Sequence, residues 1–195
     1  KAEQEPERAW SVNAHAPSAL ARWCNDNDAW LIHLSSDYVF SGWMADAYSE
    51  SALPCPLSEY GRSKLAGEQS VMESCDRAVV IRTGWLFSQY GKNPLCYMLN
   101  SAQKSLKINV ASDAYVSPTP AVSLAETMVE IASLAEQGRI ARGRYHFAGT
   151  PTASTYIFAG EMLRQANELG LVDRRCRLLP ETINPPGSGA MRPHN

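Results

Sequence analysis

The chain has 195 residues, a formal net charge of -2, 45% hydrophobic residues and 19% charged residues. That is enough for one domain, or one domain plus a small lobe, with a real buried core, and it excludes disorder as the main description. The near-neutral balance excludes a generally basic nucleic-acid binder, and no apolar run approaches the roughly 20 residues of a membrane span.

The first predicted element is a helix from about Pro6 to Cys24, with Trp10, Pro17 and Leu20 at helical spacing and a kink expected at Pro17. A polar turn at residues 25–28 leads into an apolar run from Ala29 to Leu34, read as a buried strand ending in Ser35-Ser36. Residues 37–56 are irregular and carry aromatics, Gly42, Pro54 and Pro56, as a functional loop or lid would. A helix from about Glu59 to Glu73 and a second buried strand from Arg77 to Arg82 follow. Next come a helix near 94–102 and a strand near 106–110. Thr119-Pro120 reads as the N-cap and first residue of a helix. Its Leu124, Met128, Ile131 and Ala135 share one face, and Gly138 is its expected stop. A strand over 144–147 and a helix over 154–169 complete the order. The proline- and glycine-rich tail from Leu178 reads as an ordered arm or a cut end, with a linker as the alternative. Strands alternating with helices imply an α/β architecture with a largely parallel sheet.

The cysteines, Cys24, Cys55, Cys75, Cys96 and Cys176, are scattered and odd in number. They suggest neither a disulfide framework nor a zinc site, and a reducing cytoplasm is the expected setting. No secretory signal pattern opens the chain. His15, His33, His146 and His194 lack metal-ligand spacing and read as structural. No metal site is expected from spacing.

Tyr60 and Lys64 form Y-x-x-x-K on a predicted helix, so both lie on one face. Free tyrosine titrates near about 10, and a neighbouring ammonium favours the phenolate, so the spacing predicts a lowered Tyr60 pKa and a general acid/base. Ser35 and Ser36 end a predicted parallel strand, the edge where open α/β sheets bind ligands. A hydroxyl there can polarise a substrate carbonyl, and alternation does not decide which serine does so. These are the protein groups needed for carbonyl reduction, with hydride from a cofactor.

Several words in one order now point to a family. Ser35-Ser36-Asp37-Tyr38-Val39-Phe40-Ser41-Gly42 resembles S-T-D-Y-V-F-D-G. Residues 60–68, Y-G-R-S-K-L-A-G-E, match Y-G-x-S-K-x-x-G-E, and Arg82-Thr83-Gly84-Trp85 resembles R-T-S-W. Gly91-Lys92-Asn93, Ser117-Pro118-Thr119, Tyr145-His146-Phe147-Ala148-Gly149 and Arg192-Pro193-x-Asn195 follow in register. Across essentially its whole length the chain resembles the dTDP-4-dehydrorhamnose reductase family of extended short-chain dehydrogenases/reductases.

The resemblance implies a Rossmann-like, doubly wound parallel sheet lacking its N-terminal strands, with a small C-terminal substrate-binding lobe. Residues 1–110 would be the partial dinucleotide-binding domain with the catalytic helix. Residues 111–195 would be a mixed substrate lobe with elements returning to the sheet. It implies NADPH- or NADH-dependent reduction of the C4 keto group of dTDP-4-dehydro-L-rhamnose. Tyr60 would donate the proton. Lys64 would lower the Tyr60 pKa and hold the nicotinamide ribose. Ser36, in place of threonine, would bond the carbonyl, with Ser35 as the competitor. Asp37 would contact the sugar or else cap a turn. Trp85 would pack on the sugar ring or else be a core tryptophan. A nucleotide-sugar substrate, a homodimer and a magnesium ion are implied by resemblance only, with no nucleic-acid or membrane partner. Gly84 in place of serine, Pro94 in place of phenylalanine and residues 113–116 in place of D-Q-x-G depart from the pattern.

None of the twelve glycines forms the glycine-rich turn that receives a dinucleotide pyrophosphate. Lys1-Ala2-Glu3 resembles the D-K-A-E after the family's third strand, so roughly 60 residues are expected upstream at usual element lengths. The chain is expected to be a fragment cut at both ends. Alone, it is expected to leave a strand edge open and to bind NAD(P)H unproductively. The alternatives are a related sugar-nucleotide epimerase or dehydratase, or a non-catalytic subunit of the methionine adenosyltransferase regulatory type. The complete Ser36, Tyr60 and Lys64 set argues against the last.

Overall fold

The computed structural model describes residues 1–44, 46–173, 175–184 and 191–193. Residues 185–190 of the tail and the predicted match at Asn195 lie outside the described residues, as does His194. Among the described residues the chain forms two compact units. One comprises Lys1–Gly84, Ser123–Phe147 and residues 191–193; the other comprises Trp85–Val122 and residues 148–184. The architecture is α/β with parallel strand pairing throughout the larger sheet.

The first unit opens with α1 (Pro6–Trp10), a π-helical turn (Ser11–His15) and α2 (Ala16–Asp26). Pro17 was expected to kink this helix, and the disturbance instead falls one turn earlier. Proline has no N–H to return to the carbonyl four residues back, so the Asn13 carbonyl leaves the helical ladder. That carbonyl lies where a Cβ on Gly67 would meet it at 2.0 Å. The bulge and the glycine therefore fit together. The Asn13 side chain adds a hydrogen bond to the Ser63 hydroxyl at 3.0 Å.

Strands β1 (Leu31–Ser36) and β2 (Ala78–Thr83) pair in parallel, and β7 (Gly143–His146) pairs with the far edge of β2. The sheet order is β1-β2-β7, so the wholly buried β2 is central. Helix α3 (Glu59–Ser74) crosses from β1 to β2. It packs with α2 over a core of Ala21, Cys24, Val71, Cys75, Ala78 and Val80. Among the described residues, the other edge of β1 carries no strand. The loop after β1 starts with a 3₁₀ turn (Asp37–Val39), and Tyr48 stacks on Phe40 with ring centroids 4.3 Å apart.

The second unit holds β3 (Leu86–Phe87), α4 (Pro94–Lys104), β4 (Lys107–Ala111), β5 (Tyr115–Val116) and β6 (Thr119–Pro120). After α5 (Ala121–Glu136) has crossed into the first unit, the second resumes with β8 (Ala153–Ser154), α6 (Thr155–Glu168) and β9 (Arg177–Glu181). Its core joins Ala102, Ile108, Met162, Leu163, Ala166 and Cys176. Thr119 is not the expected helix cap. It pairs with Leu86 in β6, and its buried hydroxyl donates to the Ser117 carbonyl and accepts the Gly149 N–H. Helix α5 begins two residues later; of the predicted stripe Leu124 and Ala135 are buried, and Met128 and Ile131 are half-buried. The start of the tail is ordered as β9, parallel to β4.

Candidate active site

Strand β1 delivers two adjacent serines to its carboxyl end, and the pleat turns them to opposite faces. The buried Ser35 hydroxyl has no hydrogen-bond partner. Ser36 is extended and caps the 3₁₀ turn, its hydroxyl accepting the Tyr38 N–H at 3.2 Å. The same hydroxyl donates to Asp37 Oδ1 at 2.9 Å. Of the two serines, Ser36 is the one that acts on the Tyr60 phenol, pulling its pKa down.

Helix α3 presents the tyrosine for local reasons. Ser58 caps its start by accepting the Gly61 N–H at 3.1 Å. A Cβ on Gly61 would stand 2.2 Å from the Tyr38 carbonyl oxygen, so only glycine lets the first turn press against the loop after β1. The Tyr38 and Tyr60 rings then meet edge to face, with centroids 5.6 Å apart. Tyr60 keeps 37% of its surface exposed, which leaves it accessible to a reactant. One turn on, the Lys64 ammonium donates to the Leu34 carbonyl at 2.5 Å.

The electrostatics differ from the expectation drawn from Tyr60–Lys64 spacing. Burial raises the Tyr60 pKa, the Ser36 hydroxyl pulls it down, and the Asp37 charge raises it further. The net shift is upward, and the ammonium expected to lower it is engaged with the strand carbonyl instead. Burial lowers the Lys64 pKa, with Glu68 opposing. Asp37 is pushed up to about 6, mainly by burial, against stabilising hydrogen bonds from Ser36 and backbone N–H groups. Its carboxyl lies where a Cβ on Gly84 would stand 2.1 Å from Oδ2.

Ser36, Asp37, Tyr60 and Lys64 therefore gather in the first unit. Trp85 belongs to the second. It has a left-handed φ of 48° and sets its ring edge-on to Phe158 at 5.0 Å.

Behind Tyr60 and Lys64 lies a polar seam that the sequence reading did not assign. Glu68 is fully buried and ion-paired with Arg82 at 2.7 Å, and Arg144 approaches the same carboxylate at 3.5 Å. Arg82 also donates to the Glu50 carbonyl at 3.4 Å, and its guanidinium lies 5.0 Å from the centroid of the Phe40 ring. The His33 Nε2 is buried and unpartnered, and burial together with the Lys64 charge holds its pKa down to about 4. The available signal was an arginine inside an otherwise apolar strand, which needs a buried carboxylate. Among the described residues no group of three His, Cys, Asp or Glu side chains could hold a metal ion, so the magnesium expectation finds no support. No described helix is long and apolar enough to cross a membrane.

Comparison with known proteins gives the family and the fold. The family described as "RmlD substrate binding domain" matches residues 1–195. The chain is 34% identical over 197 residues to the dTDP-4-dehydrorhamnose reductase of Escherichia coli K12, covering 100% of this chain and 65% of that protein. It is 35% identical over 181 residues to the dTDP-4-keto-6-deoxy-D-glucose reductase of Streptomyces niveus, covering 92% of this chain and 60% of that one. Among solved structures it superposes on the Bacillus anthracis dTDP-4-dehydrorhamnose reductase in complex with NADP. The TM-score is 0.89 and the identity 30%, over 99% of this chain and 65% of that one. The chain thus spans about two thirds of the length of such relatives, at 65%.

Proposed function

Since the chain belongs to the RmlD substrate binding domain family, we propose that it carries the catalytic part of a nucleotide-sugar reductase. The reaction is NADPH- or NADH-dependent reduction of the C4 keto group of dTDP-4-dehydro-L-rhamnose to dTDP-L-rhamnose. The observation that carries this reading is Tyr60 and Lys64 one turn apart on α3, with Lys64 bonded to the Leu34 carbonyl of β1 and the Ser36 hydroxyl at the carboxyl end of that strand acting on the Tyr60 phenol. The relatives named as reductases of such sugars support the substrate class, and the relative solved with NADP supports the cofactor.

The residues fit the ribose end of a nicotinamide cofactor. Lys64 has three N–H donors and directs one to the Leu34 carbonyl, leaving others for a vicinal diol. The bound cofactor supplies hydride, which no side chain can. Tyr60 supplies the proton to the ketone oxygen. With its pKa raised by burial, Tyr60 holds its proton at neutral pH until the reaction draws it. Ser36 hydrogen-bonds the same oxygen and orients it. Asp37 and Trp85 are assigned to the sugar. Residues 1–110 are assigned mainly to the cofactor side and 111–195 to the substrate side, with β7 returning to the sheet of the first unit. A cytoplasmic, homodimeric enzyme fits the free cysteines and the family resemblance.

The test is NADPH oxidation by the complete gene product containing this chain, with dTDP-4-dehydro-L-rhamnose and with the 4-keto precursor of an epimerase or dehydratase reaction. Turnover of the first with net NADPH consumption supports the reading. Conversion without net cofactor consumption would replace it with the epimerase or dehydratase alternative.

A further inference from the structure

We propose that Tyr38 is a positioning residue for the reaction: it holds the Tyr60 phenol and the Ser36 hydroxyl in place relative to one another. This rests on the reduction proposed above, in which both groups act on one ketone oxygen.

Tyr38 reaches the two groups through three different parts of itself. Its N–H donates to Ser36 Oγ at 3.2 Å. Its carbonyl lies against the first turn of α3, where a Cβ on Gly61 would stand 2.2 Å from the oxygen. Its ring meets the Tyr60 ring edge to face, with centroids 5.6 Å apart. The first contact places the serine. The second sets how closely the helix approaches the loop. The third sets the direction of the phenol, because an aromatic edge seeks the face of its partner.

The residue can act this way because its own base is fixed. Val39 and Phe40, which follow it, are buried. The Phe40 N–H donates to the Asp37 carbonyl at 2.9 Å, and the Cys55 N–H donates to the Val39 carbonyl at 2.9 Å. Phe40 is stacked on Tyr48 and lies against the Arg82 guanidinium. Pro56, near the far end of the same loop, also closes on Gly61, where a Cβ would stand 2.9 Å from its own Cβ. The loop therefore grips the first turn of α3 at two points.

Tyr60 needs such a restraint. With 37% of its surface exposed, more than one staggered rotamer would otherwise be open to it. Misplacing a reacting group by about 1 Å costs on the order of 100-fold in rate. The Tyr38 ring therefore bears on kcat rather than on affinity.

The test uses the complete gene product with ring-labelled tyrosine, and the Tyr60 resonance is assigned by its loss in Tyr60→Phe. Without substrate, Tyr38→Leu and Gly61→Ala should each move that resonance. The first removes the ring, and the second pushes the helix off the Tyr38 carbonyl. Tyr38→Phe, which keeps the ring, should leave it near its wild-type position. An unmoved resonance in Tyr38→Leu overturns the proposal, and that variant decides alone should Gly61→Ala not fold.

In turnover, kcat per folded molecule should fall roughly 10- to 100-fold in Tyr38→Leu, with KM for NADPH and sugar within about twofold. Tyr38→Phe should restore it. In a Tyr60→Phe background, Tyr38→Leu should cost little more, because its effect passes through the phenol. An equal loss in both backgrounds overturns the proposal. So does a lowered melting temperature with kcat intact, which a purely structural role would give. A Tyr38→Phe variant as slow as Tyr38→Leu assigns the effect to the hydroxyl and also overturns it. The resonance needs no substrate, whereas failure of the reductase reading shows as absent NADPH oxidation by the wild type, so the two failures are distinct.

Discussion

The Glu68 carboxylate and the Arg82 guanidinium face each other in the fully buried space between α3 and β2. Nε donates to Oε1 at 2.9 Å and Nη2 to Oε2 at 2.7 Å. Glu68 stands one turn beyond Lys64 and two beyond Tyr60 on the same helix. The pair thus fixes the rotation of the helix that presents both groups, and it does so with a directional, two-point contact that apolar packing lacks.

Breaking this pair from one side leaves an uncompensated buried charge. Arg82→Met should cost about 3–5 kcal/mol of unfolding free energy. Glu68→Gln combined with Arg82→Met should recover much of that loss, because neither residue then carries charge. Urea denaturation of both single variants and the double variant checks this. Simple additivity of the single losses would show that the pair is not coupled.

Tyr60→Phe keeps the ring and its edge-to-face contact with Tyr38 and removes only the hydroxyl. Turnover should fall by a factor on the order of 100 or more with cofactor affinity nearly unchanged. Lys64→Ala should weaken both. Steady-state kinetics with a direct NADPH titration separates the two; full turnover in Tyr60→Phe would remove the phenol from the reaction.

Two buried groups tilt stability with pH in opposite directions. His33 has its folded pKa lowered to about 4, so the unfolded chain binds more protons from there up to about 6.5, and stability rises with pH across that window. Asp37 has its folded pKa raised from 3.8 to about 6, so the folded chain binds more protons there, and stability falls as pH rises through it. Each effect is on the order of 3 kcal/mol, and they nearly cancel. Asp37→Asn should therefore make the protein lose stability as pH falls from 6.5 to 4. His33→Gln should make it lose stability as pH rises over about 4–6. Melting curves across this range decide it; parallel profiles for both variants and the wild type would refute the assignment.

Gly67→Ala runs against helix propensity, which favours alanine by about 1 kcal/mol. The added methyl would stand 2.0 Å from the Asn13 carbonyl oxygen, a backbone atom that cannot swing away. The substitution should destabilise by about 1–3 kcal/mol. A stabilised variant in thermal denaturation would show that the bulge at residues 11–15 adapts freely.

The sequence by itself determined the α/β alternation, the family and the gathering of chemistry at one strand end. These rest on local periodicity and on words such as Y-G-R-S-K, whose spacing places residues on one helix face whatever surrounds them. It also located α5 by its stripe, but it read Thr119 as a cap because a threonine before a proline is locally plausible; the Thr119–Leu86 pairing is non-local. The choice between Ser35 and Ser36 was likewise closed to the sequence, because adjacent hydroxyls differ only in the face the pleat gives them. Only the tertiary structure brought Glu68 to Arg82, turned Lys64 to the Leu34 carbonyl and set Asp37 against Gly84. It thereby reversed the expected direction of the Tyr60 pKa. Burial and charge act through space, and their balance at one phenol depends on which distant segments exclude water from it.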